Sequence, residues 1–137
     1  MSIVLDIDPA APAPIWRQIE DGVRRLVASG SLAPGTPVPS VRELAKSLRV
    51  NPATVSKAYQ LLTDAGLLAV RRGEGTFVAE LEPEARDAER ARLLAEGASR
   101  LVEVARSMGA SKTETNRAVD AAWREFTEGG EGTRDAR

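Results

Sequence analysis

The sequence predicts a mainly α-helical chain with one short β-hairpin, and three observations support that fold class. Apolar residues recur at spacings of three and four along most of the 137-residue chain, as they do in amphipathic helices. Capping residues and prolines stand where these stretches begin. Two short β-prone runs flank a tip at 71–75 that contains two glycines. The predicted order is therefore helix, helix, turn, helix, hairpin and two further helices.

The first predicted helix follows a proline-rich start. The run from Ile3 to Ile7 alternates apolar and acidic residues, which predicts a short strand ended by the prolines after it. Pro14 suits the first position of a helix, because its missing N–H costs nothing there. Gly30 ends this helix, and residues 31–39 form a loop rich in proline and glycine. The apolar positions at helical spacing are Ile15, Ile19, Val23, Leu26 and Val27.

Two short helices separated by a tight turn come next. Ser40 and Glu43 form a capping box at the start of the first. Asn51 can cap the second, with Pro52 at its first position, and Gly66 ends it. The predicted apolar faces consist of Val41, Leu44, Ala45 and Leu48 in the first helix and Val55, Ala58, Tyr59 and Leu62 in the second.

A hairpin and two longer helices complete the predicted order. Strand-like runs over 67–70 and 76–79 flank the glycine-containing tip. A helix of 25 residues over 84–108 would be about 37 Å long, and a second covers 111–127 after a further capping box. A frayed polar tail is predicted from Gly129 onward.

The composition excludes several classes of function. The chain has no Cys and no His, so it offers no disulfide, no thiolate or imidazole metal ligand and no histidine base. No apolar run approaches the roughly 20 residues that span a bilayer, and the start is not a secretory signal. We therefore expect a cytoplasmic protein with no cofactor, no metal and no membrane partner. Because no nucleophile–base pair can be argued, an enzyme is not expected.

The hydrophobic core is expected to be small. Hydrophobic residues make up 42% of the chain, but 22 of them are Ala and only five residues are aromatic. A short chain with so little bulky apolar surface is marginally stable alone. A second subunit could supply the missing burial.

Charge is distributed unevenly, although the net charge is only −1. Residues 1–79 carry +2 and residues 80–137 carry −3. Residues 40–79 contain six basic and three acidic residues, and this excess of positive charge is a weak indication of nucleic-acid binding. The six basic residues are Arg42, Lys46, Arg49, Lys57, Arg71 and Arg72.

The first five elements have the order of a winged helix-turn-helix. In such units the second helix of the pair enters the major groove with its N-terminal end, and the hairpin reaches the adjacent backbone or minor groove. Short side chains at the start of that helix allow it to approach the bases closely. Arg42, Lys57 and the N–H groups of the helix N-terminus are placed for phosphates. The candidate DNA-binding residues are Ser40, Arg42, Asn51, Pro52, Ala53, Thr54, Ser56, Lys57, Arg71, Arg72, Gly73 and Gly75.

Each of these signals alone has a simpler interpretation. The capping residues are helix caps whatever else they do, Arg42 alone would be a solvated side chain, and the tip could be an ordinary turn. Trp16, Tyr59 and Trp123 lie on apolar stripes, so we assign them to core or interface rather than to stacking platforms. The combination favours DNA binding. The alternative is a winged-helix protein-interaction module without specific DNA binding.

Four stretches resemble the GntR family of bacterial transcription regulators. They are VPSVRELA at 38–45, VNPATVSKAY at 50–59, AGLL at 65–68 and RRGEGTFV at 71–78. The match covers roughly residues 12–79. The opening PIWRQI at 14–19 and the short two-helix tail are similar to the YtrA subfamily.

The resemblance implies a homodimeric repressor on a pseudo-palindromic double-stranded DNA operator, often that of an adjacent transporter operon. It implies contacts to bases or phosphates at Arg42, at the start of the reading helix and at Gly73. Many family members carry an arginine that contacts guanine where this chain has Pro52, so the operator sequence stays open. The tail is too short for the C-terminal domains of larger relatives. The sequence leaves room for a small-molecule effector but names none.

The sequence thus predicts a mainly α fold with a small β wing, divided into three parts. Residues 1–79 are the winged helix-turn-helix, 80–128 form a C-terminal two-helix dimerisation segment, and 129–137 a disordered tail. The alternative for the two helices is that they pack only on their own winged domain. The candidate dimer-interface residues are Leu94, Ala98, Leu101, Ala105, Met108, Val119, Trp123 and Phe126.

Overall fold

A computed structural model describes residues 3–134, and side-chain surroundings for residues 3–129. Over this range five helices and one antiparallel two-stranded sheet follow one another in the predicted order, which confirms the fold class. The chain divides into two compact units, residues 1–92 and 93–137, which are described separately. The elements are α1 (Ile15–Ala28), α2 (Val41–Leu48), α3 (Pro52–Asp64), β1 (Leu68–Arg71), β2 (Gly75–Val78), α4 (Pro83–Ser107) and α5 (Lys112–Arg134).

Side-chain caps fix where three of the helices begin. The Ser40 hydroxyl accepts a hydrogen bond from the Glu43 N–H at 3.1 Å, and Ser111 caps α5 in the same way. Asn51 Oδ1 accepts from the Ala53 N–H at 2.9 Å. The first helix differs from the prediction by one residue, because Pro14 has an extended ψ of 151° and α1 begins after it. These caps place the starts of α2 and α3 as the sequence predicts.

The core of the first unit is built where α1, α2 and α3 meet the sheet. Ile19, Leu44, Val55 and Leu62 are fully buried there. Tyr59 is also buried, as predicted, and its hydroxyl donates a hydrogen bond of 2.7 Å to the Pro39 carbonyl. Burial, and secondarily the charge of Glu43, raises the pKa of the Tyr59 phenol above its ordinary range. The phenol therefore stays a proton donor and ties α3 to the residue that precedes the cap of α2.

The predicted strand over Ile3–Ile7 does not form, since that segment pairs with no other strand among the described residues. The alternation of burial is nevertheless present, with Ile3 buried and Val4 90% exposed. The Gln18 side chain accepts from the Asp8 N–H and donates to the Asp8 carbonyl, both at 2.8 Å. A side chain of α1 thus fixes the backbone directly after this segment.

A third segment pairs with the sheet, which the sequence did not predict. Val38 N–H donates to the Thr76 carbonyl at 2.9 Å, and Val78 N–H donates to the Thr36 carbonyl at 2.8 Å. Residues 35–38 therefore flank β2 on the side opposite β1, with Pro37 facing Phe77. The sequence predicts a loop for this stretch, because it contains glycine and proline and shows no alternation of apolar and polar residues. The pairing anchors the base of the wing on both sides of β2.

The second unit contains the end of α4 and all of α5. Gly109 adopts a φ of 69°, and the Ala110 N–H returns to the Ala105 carbonyl at 2.9 Å, which ends α4. Helix α5 continues past residue 127, where the sequence predicts its end, and past Gly129 to Arg134. Gly129 does not take the positive φ with which glycine closes a helix, so the helix continues through it. Residues 135–137 of the predicted tail lie outside the described residues. Over the described range, no helix is both long and apolar enough to cross a membrane.

Candidate nucleic-acid interface

The predicted DNA-binding residues lie at three places in the first unit: the start of α2, the start of α3 and the tip of the hairpin. Eleven of the twelve are exposed, and Thr54 is half-buried. Ser40 and Gly75 line one shallow pocket of about 230 Å³, so the start of α2 adjoins the wing. The start of α3 follows α2 after only three residues. The start of α2 and the hairpin therefore share one stretch of surface, and the start of α3 adjoins the C-terminal end of α2.

A tight turn sets the direction of α3 relative to α2. Arg49 adopts the left-handed conformation, with φ 57° and ψ 47°, and among the described residues it is the one non-glycine residue with positive φ. Its N–H bonds to the Lys46 carbonyl, and the Val50 N–H returns to the Ala45 carbonyl at 3.0 Å. These bonds close α2 and send the chain directly to the cap of α3.

The start of α3 carries few hydrogen-bond donors. Pro52 has no N–H, the Ala53 N–H bonds to Asn51 Oδ1, and the Thr54 N–H bonds to the Asn51 carbonyl at 2.9 Å. The first N–H groups of this helix are therefore not free as expected, because the cap and the proline use or remove them, and phosphate binding there stays a prediction. Since its oxygen is engaged, Asn51 presents its NH₂ donors to the outside.

The start of α2 is better equipped to bind an anion. The N–H groups of Val41 and Arg42 have no acceptor among the described residues. The Ser40 oxygen accepts from Glu43 and keeps its own proton as a donor. Arg42 is exposed and supplies a cation in the first turn of the same helix. A phosphate at this helix start would meet oriented N–H groups, the favourable end of the helix dipole and a cation.

The wing brings its two arginines to different surroundings. The tip is closed by a hydrogen bond of 3.0 Å from the Glu74 N–H to the Arg71 carbonyl, with Gly73 at φ 77°. The Arg71 guanidinium lies over the Phe77 ring, 4.3 Å from its centroid. Arg72 is exposed at the tip and has no ion-pair or ring partner among the described residues. Arg71 is thus held against the wing, whereas Arg72 is solvated.

Lys57 has a partner that the sequence did not predict. Its ammonium lies 4.2 Å from the centroid of the Trp16 ring of α1. Trp16 is half-buried and lies outside the core cluster of this unit, so its assignment to the core is wrong, whereas its assignment to an interface stays a prediction. Sequence spacing places Trp16 next to the apolar stripe of α1 but cannot show which side chain of α3 lies over it.

A second surface lies in the second unit and is apolar. An open groove of about 760 Å³ is lined by residues of α4 and α5. It unites four of the predicted interface residues: Leu101, Val119, Trp123 and Phe126. Leu94, Ala98 and Met108 lie on or beside α4 but do not line the groove. Ala105 is only 7% exposed within its own chain, so it has little surface left for a partner.

Comparison with known sequences supports the resemblance drawn from the motifs. The model of the gntR family, "Bacterial regulatory proteins", matches residues 16–78. The HTH-type transcriptional repressor YtrA of Bacillus subtilis is 43% identical over 77 residues, which are 56% of this chain and 59% of YtrA. YhcF, an uncharacterized HTH-type transcriptional regulator of the same organism, is 35% identical over 117 residues, 85% of this chain and 93% of YhcF. The chain thus spans nearly all of YhcF but about three fifths of YtrA.

Solved structures match in the same way. A transcriptional antiterminator from Listeria monocytogenes aligns with a TM-score of 0.71 and 26% identity over 90% of this chain and 92% of its own. YtrA from Sulfolobus acidocaldarius, a GntR-family transcription factor, aligns with a TM-score of 0.53 and 33% identity over 90% and 99%. The DNA-binding domain of AraR in complex with operator ORX1 aligns with a TM-score of 0.51 and 28% identity over 57% and 100%.

The matching residues coincide with the winged unit and its three exposed places. The matches to YhcF and to the Sulfolobus protein cover 85% and 90% of this chain, so both reach beyond the winged unit into the C-terminal helices. The motifs, the fold and these comparisons agree, and the chain belongs to the gntR family of bacterial regulatory proteins, where it is similar to the YtrA-like members.

Proposed function

We propose that this chain is a sequence-specific DNA-binding transcription regulator that acts as a homodimeric repressor on a pseudo-palindromic operator. The observation that carries the proposal is the exposed surface formed by the starts of α2 and α3 and the hairpin tip. The AraR domain, whose structure contains an operator, has a similar fold over 57% of the chain. A bacterial regulator of this kind would act in the cytoplasm. The operon of an adjacent transporter is a candidate target.

In the proposed complex, the start of α3 enters the major groove. Asn51, Ala53 and Ser56 are exposed there and have short side chains, so the helix can approach the base edges. The outward NH₂ of Asn51 can donate to acceptors such as guanine O6 and N7 or thymine O4. The donor-poor start of α3 suits base contacts better than phosphate contacts.

Phosphate contacts are assigned to the places on either side of α3. Val41 N–H, Arg42 and Ser40 form a donor cluster at the start of α2. Arg72 at the tip of the wing can reach a narrow minor groove or the phosphates beside it. These contacts carry no sequence information, but they fix the register of α3 on the duplex.

The dimer is assigned to the groove of the second unit, with a second copy of the chain as its occupant. Trp123 and Phe126 are 75% and 85% exposed in the single chain, which is unusual for large apolar side chains. A palindrome presents two half-sites and so requires two copies of α3. The name of YtrA as a repressor supports the direction of regulation. A small-molecule effector is compatible with this arrangement, but no cluster of side chains among the described residues indicates its chemical class.

The test is a selection from randomised duplex DNA with the full chain, followed by binding measurements at several salt concentrations. We expect an inverted repeat with half-sites about one helical turn apart. Affinity for that repeat should fall steeply with salt, because several phosphate contacts release counterions. Selection of no motif, together with salt-independent binding, would support the protein-interaction module instead.

A further inference from the structure

Two aromatic rings of the first unit each carry a cation of the predicted DNA surface. Trp16 lies under the Lys57 ammonium at 4.2 Å, and Phe77 under the Arg71 guanidinium at 4.3 Å. The unit has one other aromatic residue, Tyr59, which is buried and bonded to a carbonyl. Trp16 and Phe77, the two half-buried aromatic residues of this unit, therefore each have a cationic side chain as a partner.

We propose that Trp16 and Phe77 are positioning residues that hold Lys57 and Arg71 in place for the phosphates of DNA. The inference rests on the proposed function, because it assumes that this surface binds a duplex. Trp16 sits on α1, which lies outside the helix pair and the wing, and thus acts through Lys57 rather than by touching DNA.

The physical argument concerns side-chain entropy. Lysine and arginine lose more rotamer freedom on being fixed than most other side chains. A ring that attracts the cation in the free protein has already removed part of that freedom before DNA arrives. The ring covers one side of the cation, while N–H donors on the other sides stay available, since Lys57 and Arg71 are both exposed. The same contact can therefore coexist with a phosphate.

Arg72 provides a matched comparison within the same hairpin. It follows Arg71 directly and is exposed, but no ring lies under its guanidinium in the part of the chain that the structure describes. If Phe77 acts by holding a cation, its replacement should matter through Arg71 and not through Arg72. If Phe77 only supports the wing, its replacement should weaken both arginines alike.

The experiment measures binding of the full chain to a mixed-sequence duplex of about 30 base pairs across a range of salt concentrations. Lys57→Met should lower the slope of log affinity against log salt by about one for each phosphate that is no longer neutralised. Trp16→Leu keeps the charge, so it should leave the slope unchanged and weaken binding about 2- to 5-fold for each bound copy of the chain. In a Lys57→Met background, Trp16→Leu should have no further effect.

Phe77→Leu should behave in the same way. Its effect should disappear when Arg71→Met is present and persist in full when Arg72→Met is present. Trp16→Phe retains an aromatic face, and we expect its affinity to stay close to that of the wild type. Thermal unfolding of each variant without DNA identifies loss of fold.

Three results would overturn the inference. The first is an equal effect of Trp16→Leu with and without Lys57, which would make the ring a structural support. The second is tighter binding by Trp16→Leu, which would mean that the ring withholds the cation from DNA. The third is a Trp16→Phe variant that folds but binds as weakly as Trp16→Leu. A wild-type chain that binds no duplex at any salt would instead contradict the proposed function itself.

Discussion

The two units of this chain treat their apolar side chains in opposite ways. Among the described residues, every buried hydrophobic side chain except Ala105 lies between Ile3 and Val78. The second unit leaves large apolar side chains in solvent, with Trp123 and Phe126 exposed by three quarters or more. The first unit thus resembles a domain that folds on its own contacts, whereas the second resembles one half of an interface. Local helix signals are equally clear in both units, so secondary structure alone does not distinguish them.

The largest expected effect comes from placing a charge on the apolar groove. Phe126→Asp should leave the fold of the first unit intact, because Phe126 makes no part of its core. It should convert the dimer to a monomer and weaken operator binding by about 10²- to 10⁴-fold. Two separate chains must then bind the two half-sites, and the second chain no longer has the high effective concentration that its connection to the first provides. Sedimentation and operator titration measure the two effects. Val4→Asp is the matched control, because Val4 is similarly exposed but lies in the first unit. A Phe126→Asp chain that remains dimeric would remove the groove from the interface.

The contrast between the units also predicts where a truncated side chain destabilises the monomer. Leu62 is fully buried between the helices of the first unit, so Leu62→Ala should lower the free energy of unfolding by about 2–5 kcal/mol. Leu101→Ala removes the same atoms from the half-covered face of α4 and should cost a monomer markedly less. Urea unfolding of both variants in the Phe126→Asp background gives the comparison. Equal losses would mean that the second unit has a core of its own.

Within the first unit, the start of α3 is predicted to determine the preferred sequence. Pro52→Arg should fold normally, since the position still begins a helix under the Asn51 cap. The arginine fork can pair with guanine O6 and N7, so preference should shift toward guanine at one position of each half-site by roughly 1–3 kcal/mol. Parallel selections with both chains test this. Identical selected motifs would show that this helix start does not face the bases.

The smallest expected effect concerns an ion-pair cluster between α1 and the first turns of α4. Arg24 Nη1 lies 2.9 Å from Glu89 Oε1, and Arg92 also donates to this carboxylate. Hydrogen bonds from Arg92 first and Arg24 second hold the pKa of Glu89 below its ordinary value, although partial burial opposes them. The stabilisation is therefore present above the ordinary pKa of a glutamate and is lost as the pH falls through the lowered value.

Glu89→Gln measures that contribution. At neutral pH it should lower the free energy of unfolding by about 1 kcal/mol or less, because the cluster is partly solvated. The difference from the wild type should shrink as the solution becomes acidic. Glu84→Gln removes the same charge from an exposed residue of the same helix that forms no ion pair among the described residues, and it serves as the matched variant. A Glu89→Gln difference that stays constant down to strongly acidic pH would contradict the assignment.

Features that depend on neighbouring residues were predictable from the sequence. The caps at Ser40, Asn51 and Ser111 and the glycine-containing hairpin tip each follow from the few residues around them. Prediction failed where a partner lies far along the chain. The pairing of residues 35–38 with β2 and the Trp16–Lys57 contact join segments about 40 residues apart. No local periodicity indicates such contacts.

The same division between local features and distant contacts applies to the candidate site. Exposure of the three predicted DNA-binding places follows from their position at caps and at a turn, and the structure agrees with it. The distribution of donors among them does not follow, because it depends on how the Asn51 side chain and Pro52 share the first turn of α3. Likewise, the difference between Arg71 and Arg72 depends on which face of the hairpin carries Phe77.

The unpredicted edge at residues 35–38 has a consequence for association between wings. Thr36 and Val38 exchange their hydrogen bonds with β2, so the backbone of Pro37, between them, faces away from the sheet. A proline there has no N–H to offer an incoming strand. A foreign strand could not complete a ladder along this edge, which opposes growth of the sheet by strand addition on this side when many copies of the chain crowd together. Pro37→Thr would restore the missing donor and, we expect, make the protein more prone to aggregate at high concentration.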